Sequence, residues 1–245
     1  MRLLTAGLVI VVQAMSFQVL AQQGQWEGET ELGVLVTSGN TKQTNVKGRL
    51  ALKYDNAPWR NSIDARVIYT ESDNSTTAEK YRAQLKTDYK YTERKYWFIQ
   101  ESYANERFSG YDFEVSATTG MGYRLWQYGE RSVLDVSAGG GYKFSKLEEK
   151  QEETGSRNAH EAIARLAGQL DVELSDTALF RQKVSSEMGL EENDVVAESE
   201  SSVQSQIMEG LSMKISFYVK HRSDPPFGAE RTDTETSLSL LYTFL

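Results

Sequence analysis

Lys80-Tyr81-Arg82-Ala83-Gln84-Leu85-Lys86-Thr87-Asp88-Tyr89-Lys90-Tyr91 places Tyr, Ala, Leu, Thr, Tyr and Tyr at every odd position, and Lys, Arg, Gln, Lys, Asp and Lys at every even one. Successive side chains of an extended chain point to opposite faces, so this period of two describes a strand with one apolar and one strongly charged surface. The segment before it repeats the pattern: Trp59, Ile63, Ala65, Val67 and Tyr69 alternate with Arg60, Ser62, Asp64 and Arg66. Further along, Tyr111, Phe113, Val115, Ala117, Met121, Tyr123 and Leu125 oppose Asp112, Glu114, Ser116, Gly120 and Arg124, and Leu134, Val136, Ala138, Gly140, Tyr142 and Phe144 oppose Asp135, Ser137 and Lys143. The alternation returns in Met213 to Lys220 and in Ser237 to Phe244.

Twelve strands are predicted, near 27–38, 42–55, 59–71, 76–91, 95–107, 111–126, 130–144, 157–172, 177–190, 195–208, 212–223 and 231–245. Strands of soluble proteins average about 5–6 residues, and these are roughly twice that, the length a tilted membrane-crossing strand needs. The connections alternate as well. Those at Asn56–Pro58, Thr92–Arg94, Gln127–Gly129, Glu173–Asp176 and Glu209–Leu211 are tight, whereas Ser145–Ser156 and Asp224–Glu230 are long. An even-stranded barrel with both termini inside produces that alternation, with short periplasmic turns and longer external loops. Tyr54, Trp59, Tyr89, Tyr91, Tyr96, Trp97, Tyr123, Trp126 and Tyr128 gather near the tight turns, and Tyr69, Tyr103, Phe108, Tyr111, Phe113, Phe144 and Phe217 lie toward the other rim, as two aromatic girdles would. Two segments fit less cleanly. In 195–208 the outward row is thin, and in 95–107 Glu101 shares a face with Trp97, Ile99 and Tyr103, which a bulge would reconcile. The expected fold is an all-β, single antiparallel transmembrane β-barrel.

The 245-residue chain opens with Arg2, an apolar run from Leu3 to Leu20, and small residues at Ala21. That order marks residues 1–21 as a secretory signal peptide ahead of a single barrel domain, 22–245. Without it, 26 Lys+Arg stand against 35 Asp+Glu, a net charge of −9. An acidic balance without a basic stripe argues against a nucleic-acid partner. The absence of cysteine excludes disulfides, thiolate nucleophiles and thiolate metal sites.

Val36-Thr37-Ser38-Gly39-Asn40-Thr41, Glu106-Arg107-Phe108-Ser109-Gly110-Tyr111, Gly120-Met121-Gly122-Tyr123-Arg124-Leu125 and Ser223-Asp224-Pro225-Pro226-Phe227-Gly228 resemble, in order and spacing, the salt-induced outer-membrane protein family across the mature chain. The resemblance implies a Gram-negative outer-membrane barrel, located in the cell outer membrane, with a role in envelope maintenance or salt and osmotic stress and no active site to carry over. Its expected partners are outer-membrane lipid and, through the C-terminal strand, the barrel assembly machinery. Such barrels commonly end in an aromatic residue; here Leu245 follows Phe244.

With apolar faces toward lipid, the charged faces line a lumen. Glu27, Glu29 and Glu31 form an acidic strand beside a basic sector containing Lys47, Arg49, Lys53, Arg66, Arg82 and Lys86. Two readings follow: a salt-bridged core that fills the barrel, or a narrow, weakly anion-preferring channel for small ions or solutes. An outer-membrane hydrolase is a weaker alternative, because only His160 and His221 are available as neutral bases, and neither is placed by the sequence beside a nucleophile with an oriented partner. No catalytic residue, cofactor or metal site is therefore expected. The run Glu148, Glu149, Glu152 and Glu153 lacks calcium-loop spacing, and Gly139–Gly141 reads as a place where wall backbones approach closely.

Overall fold

The computed structural model describes residues 24–38, 44–72, 75–106, 109–148, 156–191, 194–226 and 228–244. All twelve expected strands are present: β1 Gln25–Ser38, β2 Thr44–Asn56, β3 Trp59–Ser72, β4 Ser75–Lys90, β5 Lys95–Glu106, β6 Tyr111–Tyr128, β7 Ser132–Leu147, β8 Asn158–Ser175, β9 Ala178–Gly189, β10 Val195–Met208, β11 Leu211–Arg222 and β12 Thr232–Phe244. Each pairs antiparallel with its sequence neighbours, and β1 closes on β12 in a continuous register from Gly28↔Phe244 to Ser38↔Thr234. Closure leaves no row of unpaired backbone groups, which hydrocarbon could not satisfy.

The barrel is inside-out relative to a soluble protein. Leu32 is 67% exposed, Leu166 63% and Ile215 54%, whereas Glu31 is 1% and Lys214 6% exposed. The period-two pattern explains this directly, since each odd-even step moves a side chain across the wall. Trp59, Leu85, Leu134 and Ile215 occupy the outer face. Ring pairs mark the rims: Trp26–Tyr54 (4.7 Å between centroids) and Trp59–Tyr89 (5.0 Å) near the short turns, and Phe113–Phe144 (5.7 Å) and Phe144–His160 (5.0 Å) near the long connections.

Two local expectations are corrected. No bulge occurs in β5, whose register runs unbroken against both neighbours. Tyr96 and Phe98 point inward there, and Tyr96 lies opposite Gly122 of β6, whose missing Cβ leaves room for its ring. Glu101 consequently stands on the outer wall, between Leu85 and Ala117. Tyr111, expected outside, instead covers the lumen: the register shifts between Tyr111 and Phe113, and its ring lies 4.5 Å from the Arg222 guanidinium. A second shift between Arg124 and Trp126 sets Trp126 opposite Leu134, and Leu125 remains exposed, as expected. The thin outer row of β10 is polar but satisfied, for Gln182 donates to Ser199 Oγ (2.9 Å) and accepts from Ser201.

The close approach expected at the glycines is found. A Cβ added at Gly120 would collide with the Ala138 carbonyl, and one at Gly139 or Gly141 with the carbonyls of Thr119 or Ala117. The signal reading of 1–21, Glu149, Glu152, Glu153 and Leu245 lie outside the described residues.

Candidate functional site: a charged lumen crossed by ion pairs

The inward faces enclose a cavity of about 1560 Å³. Its wall includes Ala57 and Pro58, Tyr91 to Arg94, and Glu130 and Arg131, all at tight turns, and no described residue of the long connections. The cavity is thus a vestibule facing the short-turn end.

Ion pairing differs between the two halves. Toward the short turns most partners sit on neighbouring strands and lie flat along the wall, although Lys90 of β4 reaches Asp55 of β2, two strands away. Arg60 Nε donates to Asp88 Oδ2 (2.7 Å), Arg124 Nε to Asp135 Oδ1 (2.9 Å), Arg181 Nε to Asp171 Oδ1 (2.8 Å) and Lys53 Nζ to Glu27 Oε1 (3.0 Å). Lys86 joins Asp88 at 3.3 Å. Pairs of this kind are cross-strand neighbours, which sequence register alone brings together.

Toward the long connections several pairs become chords across the bore, beside neighbour-strand pairs such as Lys143 with Glu161 (2.8 Å). Lys220 Nζ of β11 reaches Glu106 Oε2 of β5 at 3.2 Å, and Arg82 Nη1 of β4 reaches Glu198 Oε1 of β10 at 3.1 Å; both joins link strands six positions apart in the twelve-strand ring. Arg82 also donates through Nε to Glu106 Oε1 (2.6 Å) and through Nη1 to the Tyr218 hydroxyl (2.6 Å). Arg222 donates to Glu114 Oε1 (2.8 Å), Asp194 Oδ2 (3.0 Å) and the Tyr111 hydroxyl (2.9 Å), and Lys80 to Glu235 Oε1 (3.2 Å). Glu106 is 5% exposed. Buried charges persist only when paired and hydrogen-bonded, and this lattice pairs them by crossing the lumen.

Between these halves lies a central cluster. Glu31 accepts from Lys214 Nζ (3.2 Å) and pairs with Lys47 (3.1 Å). Glu200 accepts from Lys214 Nζ (3.2 Å) and Arg66 Nη2 (3.0 Å), and Asp64 accepts from Arg49 Nε (2.8 Å) and Arg66 Nε (3.2 Å).

Of the residues singled out from sequence, Glu29, Arg49, Arg66, Arg82 and Lys86 line the vestibule, and Glu31 and Lys47 are buried in the central cluster. Arg49, Arg66, Arg82 and Lys86 are each paired with a carboxylate. Sequence reasoning missed Glu106, Glu198, Glu200, Lys220 and Arg222. The even-position pattern marks them as inward, but their partners lie on distant strands. His221 sits at the outer rim with Nδ1 2.8 Å from Thr232 Oγ1, and His160 packs among aromatic rings. Among the described residues no cluster of three or more His, Asp or Glu is arranged to hold a metal ion.

Residues 30–244 match the family described as "Protein of unknown function, DUF481". A relative from Escherichia coli (strain K12), "Uncharacterized protein YdiY", is 29% identical over 218 residues, covering 89% of this chain and 82% of that one. Three solved structures share the fold at low identity. The translocator domain of the autotransporter NalP from Neisseria meningitidis has a TM-score of 0.59 at 12% identity, covering 98% of each chain. The NanC porin has 0.58 at 9%, covering 88% of this chain and 100% of that one. The COG4313 outer membrane channel from Pseudomonas putida F1 has 0.53 at 10%, covering 91% and 97%. These likenesses concern architecture: the chain is a closed barrel of the outer-membrane porin type.

Proposed function

The chain belongs to the DUF481 family, and from that premise we propose that it is an outer-membrane β-barrel whose bore opens to the periplasm and is shut on the cell-surface side by ion pairs. The observation that carries this reading is the set of chords from β4 and β11 to β10, β5 and β6, which cross the long-connection half of the cavity and form part of its wall. The short-turn end is assigned to the periplasm because outer-membrane barrels keep their turns there. Insertion proceeds through the C-terminal strand, where Phe244 still faces outward beside Tyr242. Its role is then envelope maintenance under salt or osmotic stress, not general diffusion, and no catalysis is assigned to it. Within such a closure mobile ions act chiefly on the more open Arg82–Glu198 pair, while the buried Glu106–Lys220 pair is screened much less.

Planar-bilayer recording tests this. Inserted protein should remain nearly silent at about 0.1 M salt, and combining Glu106→Gln with Glu200→Gln should raise conductance. A large open-state current in the unaltered protein, unchanged by both substitutions, would refute the closure. A second reading, a narrow anion-preferring conduit, is favoured by the vestibule wall, which carries sixteen Lys and Arg against fourteen Asp and Glu although the chain as a whole is acidic. It is expressed as anion-selective current once the chords are cut.

A further inference from the structure

Lys183 on β9 stands apart within the vestibule wall. It lines the cavity, and among the described residues its ammonium has no hydrogen-bond or ion-pair partner. Its register neighbours explain why. Across one ladder it faces Glu200, whose two oxygens are held by Arg66 and Lys214. Across the other it faces Gln169, whose amide is turned to Asp171. Arg181, two residues away on the same face, is also held by Asp171, through Nε and Nη2.

Arg49, Arg181, Glu200 and Asp64 are the charged groups that act on Lys183. Both of these acids are already bridged by arginines or Lys214. Arg49 directs Nε and Nη2 to Asp64, while its Nη1 lies 3.7 Å from Glu29 and 3.8 Å from Glu31, beyond hydrogen-bond reach. One ammonium with no partner among the described residues and one guanidinium nitrogen held only by the longer ion pairs to Glu29 and Glu31 therefore face the bore. A buried or half-buried cation without an acceptor is costly, and a bound oxyanion removes that cost with charge-assisted hydrogen bonds.

We propose that Lys183 and Arg49 form a solute site for a monoanionic carboxylate, carried on a small polar molecule entering from the short-turn end. The charge count selects the class. Because the surrounding arginines are compensated, a single negative charge neutralises Lys183 and a dianion overshoots. The polar, charged walls suit a hydroxylated acid better than an apolar one. This inference rests on the vestibule being open at that end, as argued above, and it joins Arg49 of the predicted basic sector to Lys183, which has no partner among the described residues.

The test is saturation-transfer NMR on sodium gluconate with the full mature barrel in a non-ionic detergent, total sodium salt being held constant by exchange with chloride. Gluconate should show saturable transfer, and methyl glucoside, neutral and similar in size, should show none. Lys183→Gln should weaken gluconate by about tenfold or more, and Lys183→Arg, which keeps the charge, by only about threefold. Both variants should retain the heat-modifiable migration of a folded barrel. Equal transfer to gluconate and methyl glucoside overturns the site, as does wild-type affinity in folded Lys183→Gln. The assay reads binding without current. A barrel silent in bilayers that binds gluconate keeps the site; a conducting barrel that binds none loses the site and leaves the conduit reading untouched.

Discussion

Glu106→Gln is the perturbation that bears most directly on the closed end of the lumen. Glu106 is 5% exposed and receives Arg82 Nε at 2.6 Å and Lys220 Nζ at 3.2 Å. Glutamine preserves shape and one carbonyl acceptor but removes the charge and places an N–H₂ where an acceptor stood. Arg82 retains Glu198 and Tyr218, so its loss is partial. Lys220 has no second ion pair among the described residues, and its side chain is 11% exposed. Exchanging two charge-assisted bonds for neutral ones costs about 1 kcal/mol each, and the stranded lysine adds a comparable or larger penalty, giving about 3 kcal/mol in all. Urea unfolding of the barrel in phosphatidylcholine vesicles, followed by tryptophan fluorescence, measures this. Arg131→Gln is the control, because the Arg131–Glu173 pair (3.3 Å) is 42% and 35% exposed and should contribute about 0–1 kcal/mol. Equal, small losses for the two variants would mean that the cross-lumen pairs are wet and weak, and the closure argument would fail.

The wall supplies further expectations. Gly120→Val should prevent folding or cost well over about 2 kcal/mol, because its Cβ meets the Ala138 carbonyl, while Gly140→Ala, whose nearest contact is the Ile163 carbonyl at 3.3 Å, should be far milder; refolding yield on semi-native gels separates them. Ile215→Arg, placing a charge on the outer face, should destabilise the barrel by about 2–4 kcal/mol in vesicle unfolding. Glu101→Leu should move the same measurement the other way by about 1 kcal/mol, since it removes a carboxyl from that face. A cysteine at Glu191 should react with an impermeant maleimide on intact cells and one at Glu130 should not. The reverse pattern would invert the assigned orientation.

The alternation in 80–91 and its repeats determined a great deal. It set the strand number, the in-or-out choice for most side chains, and the neighbour pairs such as Lys53 with Glu27. All of these follow from a period of two and a hairpin register, which are local properties. The same logic failed where one extra residue or one missing Cβ changed the phase. Tyr111 turned inward at a register shift, and Tyr96 turned inward where Gly122 faces it on the next strand, with Phe98 in the same phase. Only the closed structure decided which charges meet across the bore. Lys220 and Glu106 are separated by 114 residues and Arg82 and Glu198 by 116. Whether such positions face each other depends on strand number, tilt and stagger together, quantities that belong to the closed cylinder and to no strand within it. Lys183 shows the same division: its period marks it as inward, but only the competition of Arg66 and Lys214 for Glu200 leaves it without a partner.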